Sequence, residues 1–107
     1  MNFNEYQKLA KSTAIYDEKH AVLYPALGLA GEAGEVANKV KKLIRDGYEK
    51  NKNYREEISS EIGDVLWYCA VLADDIGCEL SDIAQRNVVK LKDRQARGVI
   101  GGSGDKR

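Results

Sequence analysis

Several residue types are scarce in this sequence of 107 residues, and each shortage excludes a class of structure. One proline and hardly any alternation of apolar and polar residues argue against a β fold. The single histidine, His20, excludes a di-iron bundle, which needs two Glu-x-x-His pairs. Cys69 and Cys78 lack the number and spacing of a disulfide scaffold or a zinc site. We interpret them as free thiols in a reducing cytoplasm.

Net charge and long apolar runs are also missing. The 17 basic and 17 acidic residues cancel, so no overall field attracts nucleic acid or an anionic membrane. No apolar run reaches the roughly 18 residues of a membrane-spanning helix. The first twenty residues lack the apolar core of a secretory signal. The sequence therefore predicts a cytoplasmic protein that binds neither nucleic acid nor membranes.

What the sequence does contain is apolar residues at helical spacing, which predicts an all-α bundle of four to five helices. Asn2 with Glu5, and Asn53 with Glu56, have the spacing of helix N-cap pairs. Pro25 suits a first turn, and Gly47, Gly77 and Gly98 suit helix ends. We expect helices over 3–19, 25–47, 53–77 and 82–98. Residues 1–98 then form one domain, and 99–107 form a tail that is flexible without ligand. The apolar stripe of the second helix comprises Val22, Leu29, Val36, Val40 and Leu43, and that of the third comprises Ile58, Ile62, Val65, Cys69, Leu72 and Ile76.

The stretch "GLAGEAGEV", residues 28–36, places glycines at 28, 31 and 34 inside the second helix. Each of these glycines weakens a helix by about 1 kcal/mol relative to alanine. They follow one side of the helix, where the missing side chains leave room for close approach. We expect another helix or a ligand to use that room.

Four acidic residues border the apolar stripes of the second and third helices. Glu32 and Glu35 are three apart, as are Glu61 and Asp64 in "EIGDVLWYC". If the two helices pack side by side, all four carboxylates face one groove and repel one another. No lysine or arginine within these clusters offsets them, so we expect a divalent cation, Mg2+ or Mn2+, among these hard oxygen ligands. The alternative is that they are ordinary solvated acids of amphipathic helices.

The fourth helix carries a complementary line of amide and cationic side chains. Asn87, Lys90 and Arg94 recur at spacings of three and four, and such groups suit phosphate oxygens. Opposite a carboxylate cluster, they suggest a metal-bridged polyphosphate; solvated surface cations are the alternative. Further positive charge could come from Lys39, Lys92, Arg97, Lys106 and Arg107.

The order of these motifs resembles the MazG-like all-α nucleoside triphosphate pyrophosphohydrolases. Their signature is E-x-x-E, a spacer and E-x-x-D; here 25 residues separate Glu35 from Glu61. The likeness covers nearly the whole chain, including "NVVKLKDR" and "GSGDKR". It implies a helical bundle that binds Mg2+ and hydrolyses (d)NTPs between the α and β phosphates, releasing the monophosphate and pyrophosphate. It also implies a homodimer or a dimer of dimers, with the site at the helix interface.

The resemblance further implies roles for individual residues. Glu32, Glu35, Glu61 and Asp64 would bind the metal, and Glu35 or Glu32 would also orient or deprotonate the attacking water. Tyr68 would reach the phosphates, while Asn87 and Lys90 would bind the triphosphate with help from Arg94.

Trp67 and Tyr24 are candidates for stacking on the base, although Trp67 also suits the core. A helical interaction module without catalysis, or a nucleotide sensor without turnover, is the alternative function.

Overall fold

The computed structural model describes all 107 residues and contains no β strand. The chain forms four α helices and two short 3-10 helices, so the all-α prediction is confirmed. None of the helices combines the length and the apolar character that crossing a bilayer requires. The α helices are α1 (Phe3–Ser12), α2 (Leu23–Asp46), α3 (Tyr54–Asp75) and α4 (Leu80–Ala96), and the 3-10 helices are Glu18–His20 and Tyr48–Lys50.

The first helix begins as predicted and ends earlier than predicted. The Asn2 side chain accepts from the backbone N–H of Glu5 at 2.8 Å, which closes the expected capping box. The predicted end at Lys19 is wrong, because α1 stops at Ser12. The Thr13 hydroxyl donates to a carbonyl of the last turn, and such bonds compete with continued helix. Beyond it, Tyr16 crosses to α3, where its hydroxyl donates to Asp75 at 2.7 Å.

The entry into α2 is a strained turn. Val22, predicted to belong to the apolar stripe, precedes the helix, is exposed and has a φ of 69°. The N–H of Leu23 donates to the carbonyl of Ala21 at 2.8 Å, which with that φ defines a γ-turn rarely adopted by β-branched residues. The N–H of Val22 donates to Asp75 at 3.0 Å and holds the turn against α3. Pro25 lies in the first turn, as predicted, although the helix begins at Leu23.

The C-terminal ends of the other helices agree with the predicted glycines, whereas the predicted N-cap of α3 does not form. Gly47, Gly77 and Gly98 all have positive φ and follow helix ends. Asn53 stands at the N-cap position of α3, but its side chain makes no capping hydrogen bond, so the predicted pair with Glu56 does not form. Its ψ of 10° differs from the extended backbone that lets an N-cap side chain reach the first turn. The fourth helix begins at Leu80, slightly before the predicted start.

The helices pack around a hairpin formed by α2 and α3, which make the most extensive contact in the fold. The small core joins α1 to the end of α3 and the start of α4. At its edge, Gln7 donates to the carbonyls of Ala70 and Cys78, and accepts from the N–H of Leu80. The buried members of this core are Ala10, Ala70, Val71 and Leu80, with Tyr6, Leu66 and Trp67 packed against them.

Much apolar surface stays exposed on the single chain. Only 9 residues are buried, and the radius of gyration is 16.7 Å, compared with about 13 Å for a compact domain of this length. In the predicted stripes, Leu43 is buried and Leu29, Val36 and Val40 are half-buried, whereas Ile62 is exposed. The bundle is therefore open, and apolar residues of every helix still face solvent.

The C-terminal tail folds back along α4. Arg107 donates to the carbonyls of Val99, Ile100 and Gly101 at 3.0–3.2 Å. These hydrogen bonds to one guanidinium hold the tail in a compact turn. Arg97 of α4 donates in turn to the carbonyl of Arg107. The division into a domain at 1–98 and a flexible tail stays a prediction, and the structure gives the tail a defined set of contacts.

Candidate metal centre and active site

Three carboxylates meet between α2 and α3. Glu32 of α2 and Glu61 and Asp64 of α3 each offer an oxygen, and the three oxygens lie within 4.8 Å of one another. Glu61 and Asp64 share one helix face because they are three residues apart, and the pairing of the hairpin brings that face to Glu32. Ligands on opposite sides of one Mg2+ or Ca2+ ion are about 4–5 Å apart. The cluster therefore has the donor type and the spacing for a divalent cation.

The charges of this cluster interact strongly. Glu32 and Glu61 are half-buried, and Asp64 is exposed. The pKa of Glu32 is raised above its ordinary value, first by a hydrogen bond that its protonated form shares with Glu61. Desolvation and the negative charges of Asp64, Glu61 and Glu35 raise it further. A cation placed among the oxygens would relieve this repulsion.

One lysine reaches the cluster, which corrects the prediction that no cation offsets it. The Lys39 ammonium lies 3.8 Å from an oxygen of Glu61. Lys39 follows Glu32 by seven residues and so lies two turns further along the same face of α2. The two side chains are 31% and 18% exposed, and their separation exceeds a hydrogen bond. Lys39 therefore offsets one of the three carboxylates, and the cluster stays negative.

The fourth predicted acid does not join this group. Glu35 is exposed on α2 and lies outside the three converging oxygens. Its charge is still close enough to raise the pKa of Glu32. The structure thus brings together three of the four predicted ligands, and the role of Glu35 stays a prediction.

Tyr68 explains one of the three glycines in "GLAGEAGEV". Its ring lies against Gly28 of α2, where an added Cβ would overlap the ring atoms. The pKa of Tyr68 is raised, mainly by desolvation and then by the neighbouring Tyr24. Gly31 and Gly34 have no neighbour within 4 Å of an added Cβ, so their side of α2 is open. The close approach expected at all three glycines occurs within the chain only at Gly28.

The α4 cations already have an anionic partner. Lys90 contacts the carboxylate of Asp105 at 2.9 Å, and Arg94 contacts it at 3.2 Å and also donates to the Asp105 carbonyl. Hydrogen bonds from Lys90 and then Arg94 hold the pKa of Asp105 below its ordinary value. Arg94 is only 5% exposed, whereas Asn87 is exposed.

Asp105 is a residue that sequence reasoning missed. The signal that could have found it is its position between Gly104 and two cations in "GSGDKR". Gly102 and Gly104 both have positive φ, which lets the tail reverse and return to α4.

The two aromatic candidates for base stacking lie in different surroundings. Trp67 packs beside the core, and its indole N–H donates to the Thr13 hydroxyl at 2.8 Å, which agrees with the core interpretation. Tyr24 stacks on Tyr16 with ring centroids 4.8 Å apart and remains partly exposed. His20 is exposed at the end of its 3-10 helix.

Comparison with known proteins identifies the family to which the chain belongs. The family model for the MazG nucleotide pyrophosphohydrolase domain matches residues 21–99, which span α2, α3 and α4. The chain therefore belongs to the MazG family, and the predicted resemblance is confirmed. It is 47% identical over 115 aligned positions to the "Gene 37 protein" of Mycobacterium phage L5, and the alignment covers all of both chains. No solved structure matches.

Proposed function

We propose that this protein is a Mg2+-dependent pyrophosphohydrolase that cleaves (d)NTPs between the α and β phosphates. The products would be the (d)NMP and pyrophosphate, and Mn2+ would be an alternative metal. The observation that carries the proposal is the convergence of Glu32, Glu61 and Asp64 in a chain of the MazG family.

The acidic cluster would hold the metal, with Glu35 as a further ligand or as the group that orients or deprotonates the attacking water. A bound ion neutralises phosphate charge and lowers the pKa of coordinated water. The Tyr68 hydroxyl, one turn after Asp64, would donate to a phosphate oxygen. The contact of Lys39 with Glu61 is long, so its ammonium could exchange that carboxylate for a phosphate oxygen.

The α4 side chains would supply further phosphate contacts. Asn87 has a free amide at the surface, and Lys90 and Arg94 place an ammonium and a guanidinium, respectively, on the same line of the helix. A phosphate bound by Lys90 and Arg94 would displace Asp105, which occupies both cations in the single chain.

We also propose that the protein is a cytoplasmic homo-oligomer, either a homodimer or a dimer of dimers. The support is the exposed apolar surface of the open bundle, including Leu27 and Ile62, which are 65% and 54% exposed. Burial of such residues is the main favourable term in association. Gly31 and Gly34 leave α2 open beside the acids, where a second copy would approach closely.

The function is tested by incubating the protein with each (d)NTP and Mg2+, and measuring pyrophosphate and monophosphate. We expect the two products in equal amounts, none with a chelator, and activity restored by Mg2+ or Mn2+. Glu61→Gln should lower the rate at least about 100-fold, because even residues that only support metal ligands cost 10–100-fold. Glu56→Gln, which removes an exposed acid of the same helix, is the matched control. Release of orthophosphate alone would contradict the assigned cleavage position.

The two alternative functions give different results in the same samples. A nucleotide sensor would bind intact (d)NTP in a Mg2+-dependent manner and yield no product after hours. An interaction module would show no metal-dependent hydrolysis, and Glu61→Gln would weaken binding to a basic partner surface.

A further inference from the structure

A cavity of about 250 Å³ lies at the turn that joins α2 to α3. Glu57 and Ile58 line its α3 side, one turn before Glu61 of the metal cluster. Lys39 lines the same cavity and contacts Glu61. One helical turn advances about 5.4 Å, so the cavity begins within reach of a phosphate chain bound at the cluster. The cavity therefore lies beside the cluster, and Lys39 connects the two.

The charges that line this cavity are not balanced. Of its two acids, Asp46 is occupied by two hydrogen bonds from Arg45 at 2.8 Å, and Glu57 accepts from Asn51 at 2.8 Å. Lys42 and Lys50 also line the cavity and form no ion pair. Both lysines are exposed and form no direct ion pair, although, after the hydrogen bonds from Arg45, the charge of Lys42 also contributes to lowering the pKa of Asp46. This contrasts with the α4 cations, which share the carboxylate of Asp105.

The wall behind these lysines is partly apolar. Leu43 is buried, and Ile58 and Tyr54 are half-buried along the same cavity. An apolar wall lowers the local dielectric and strengthens the attraction between an ammonium and an anion. Lysine is a common phosphate ligand and acts as a point charge. The chemistry of the cavity is that of a site for a multiply charged phosphate group.

We propose that this cavity binds the β and γ phosphates of the (d)NTP, with Lys42 and Lys50 as their ligands. The inference rests on the proposed function and adds the direction in which the substrate lies. The bond to be cleaved is at the acidic cluster, and the pyrophosphate end points to the α2–α3 turn. The nucleoside end then points toward Tyr68, and the α phosphate is the one left for Tyr68, Lys90 and Arg94 to contact. Pyrophosphate would then leave from the turn end.

The experiment compares two double variants of equal net charge. Lys42→Met with Lys50→Met removes the cavity ammonium groups and keeps their apolar stems. Lys41→Met with Lys52→Met removes two neighbouring lysines that are also exposed but lie outside the cavity. Each protein is titrated by calorimetry with pyrophosphate and, separately, with a nucleoside monophosphate, both in Mg2+. We expect the cavity variant to bind pyrophosphate at least about tenfold more weakly, and the control to stay within about twofold of wild type. Monophosphate binding should be unchanged in both.

Each other outcome has a defined meaning. Equal losses in both double variants would indicate a general field effect and would overturn the proposal. A loss confined to monophosphate binding would place the nucleoside half in the cavity and would also overturn it, as would absence of pyrophosphate binding to wild type. If pyrophosphate binding depends on Lys42 and Lys50 but (d)NTPs are not hydrolysed, the proposed function fails and the cavity assignment stands. With hydrolysis, the cavity variant should raise KM by the same factor as the pyrophosphate Kd.

Discussion

Replacing Asp75 by asparagine should destabilise the fold more than replacing its neighbour Asp74. The Asp75 side chain is only 4% exposed and joins three parts of the chain. One oxygen accepts from the Tyr16 hydroxyl at 2.7 Å and from the Val22 N–H at 3.0 Å, and the other lies 3.1 Å from the Lys11 ammonium. Asparagine keeps one acceptor oxygen but replaces the other with an NH2 group. This NH2 group is itself a donor and would face one of the donors that Asp75 now binds.

The magnitude follows from the change in hydrogen-bond type. A bond to a charged acceptor contributes about 1.5–3 kcal/mol and a neutral one about 1 kcal/mol, so the Tyr16 and Val22 bonds together lose about 1–4 kcal/mol. The ion pair with half-exposed Lys11 adds less than about 1 kcal/mol. We expect Asp75→Asn to lower the free energy of unfolding by about 1–5 kcal/mol. Asp74→Asn should cost under about 1 kcal/mol, because both partners of its 3.3 Å pair with Lys11 are 45% exposed.

The assay is urea unfolding of both variants and wild type at one protein concentration, across a range of pH. Desolvation alone would raise the pKa of Asp75, but hydrogen bonds from Val22, Tyr16 and Lys11 outweigh it and hold that pKa below the ordinary 3.8. A carboxyl group with a lowered pKa stabilises the fold above its ordinary pKa, and this contribution is lost as pH falls through the folded value. The difference between wild type and Asp75→Asn should therefore be full at neutral pH and shrink below pH 3.8.

A spectroscopic measurement checks the same contact independently. Desolvation, and then the hydrogen bond to Asp75, raise the pKa of Tyr16 to about 12. Absorbance titration should show this tyrosine ionising at lower pH in Asp75→Asn. If Asp75→Asn and Asp74→Asn unfold at the same urea concentration, with no change in tyrosine titration, Asp75 does not hold the α1–α2 connection as argued.

Two further predictions concern α2 and the assembly. Gly28→Ala should lower the free energy of unfolding by about 1–3 kcal/mol and slow pyrophosphate release, because its Cβ meets the Tyr68 ring. Gly31→Ala meets nothing within the chain and should stabilise the helix by up to about 1 kcal/mol, so similar urea curves for the two variants would contradict the packing. Light scattering should give a mass of two or four chains, and a single-chain mass would rule out the proposed homo-oligomer.

The sequence predicted those parts of the fold that local chemistry determines. The capping box of Asn2 and Glu5 and the positive φ of Gly47 depend on a few neighbouring residues, so their patterns sufficed. The early end of α1 was missed because it depends on Tyr16 reaching Asp75, which lies 59 residues away. No periodicity within a helix carries information about such a contact.

The candidate site could also be predicted only in part from the sequence. Glu61 and Asp64 could be assigned to one face by their spacing, and the apolar stripes gave the rotation that brings Glu32 to them. The contact of Lys39 with Glu61 depends on the relative height of two helices, which the spacing within each helix does not determine. The position of Glu35 outside the cluster depends on the same inter-helix geometry.

The tail contact has a consequence for how α4 can select among anions. Lys90 and Arg94 already share the carboxylate of Asp105, so an anionic ligand that binds them must displace this carboxylate. A ligand with a single negative charge gains little by that exchange, whereas a polyphosphate brings more charge than the carboxylate it replaces. The helix would thus discriminate by ligand valence, through competition with the chain's own last residues.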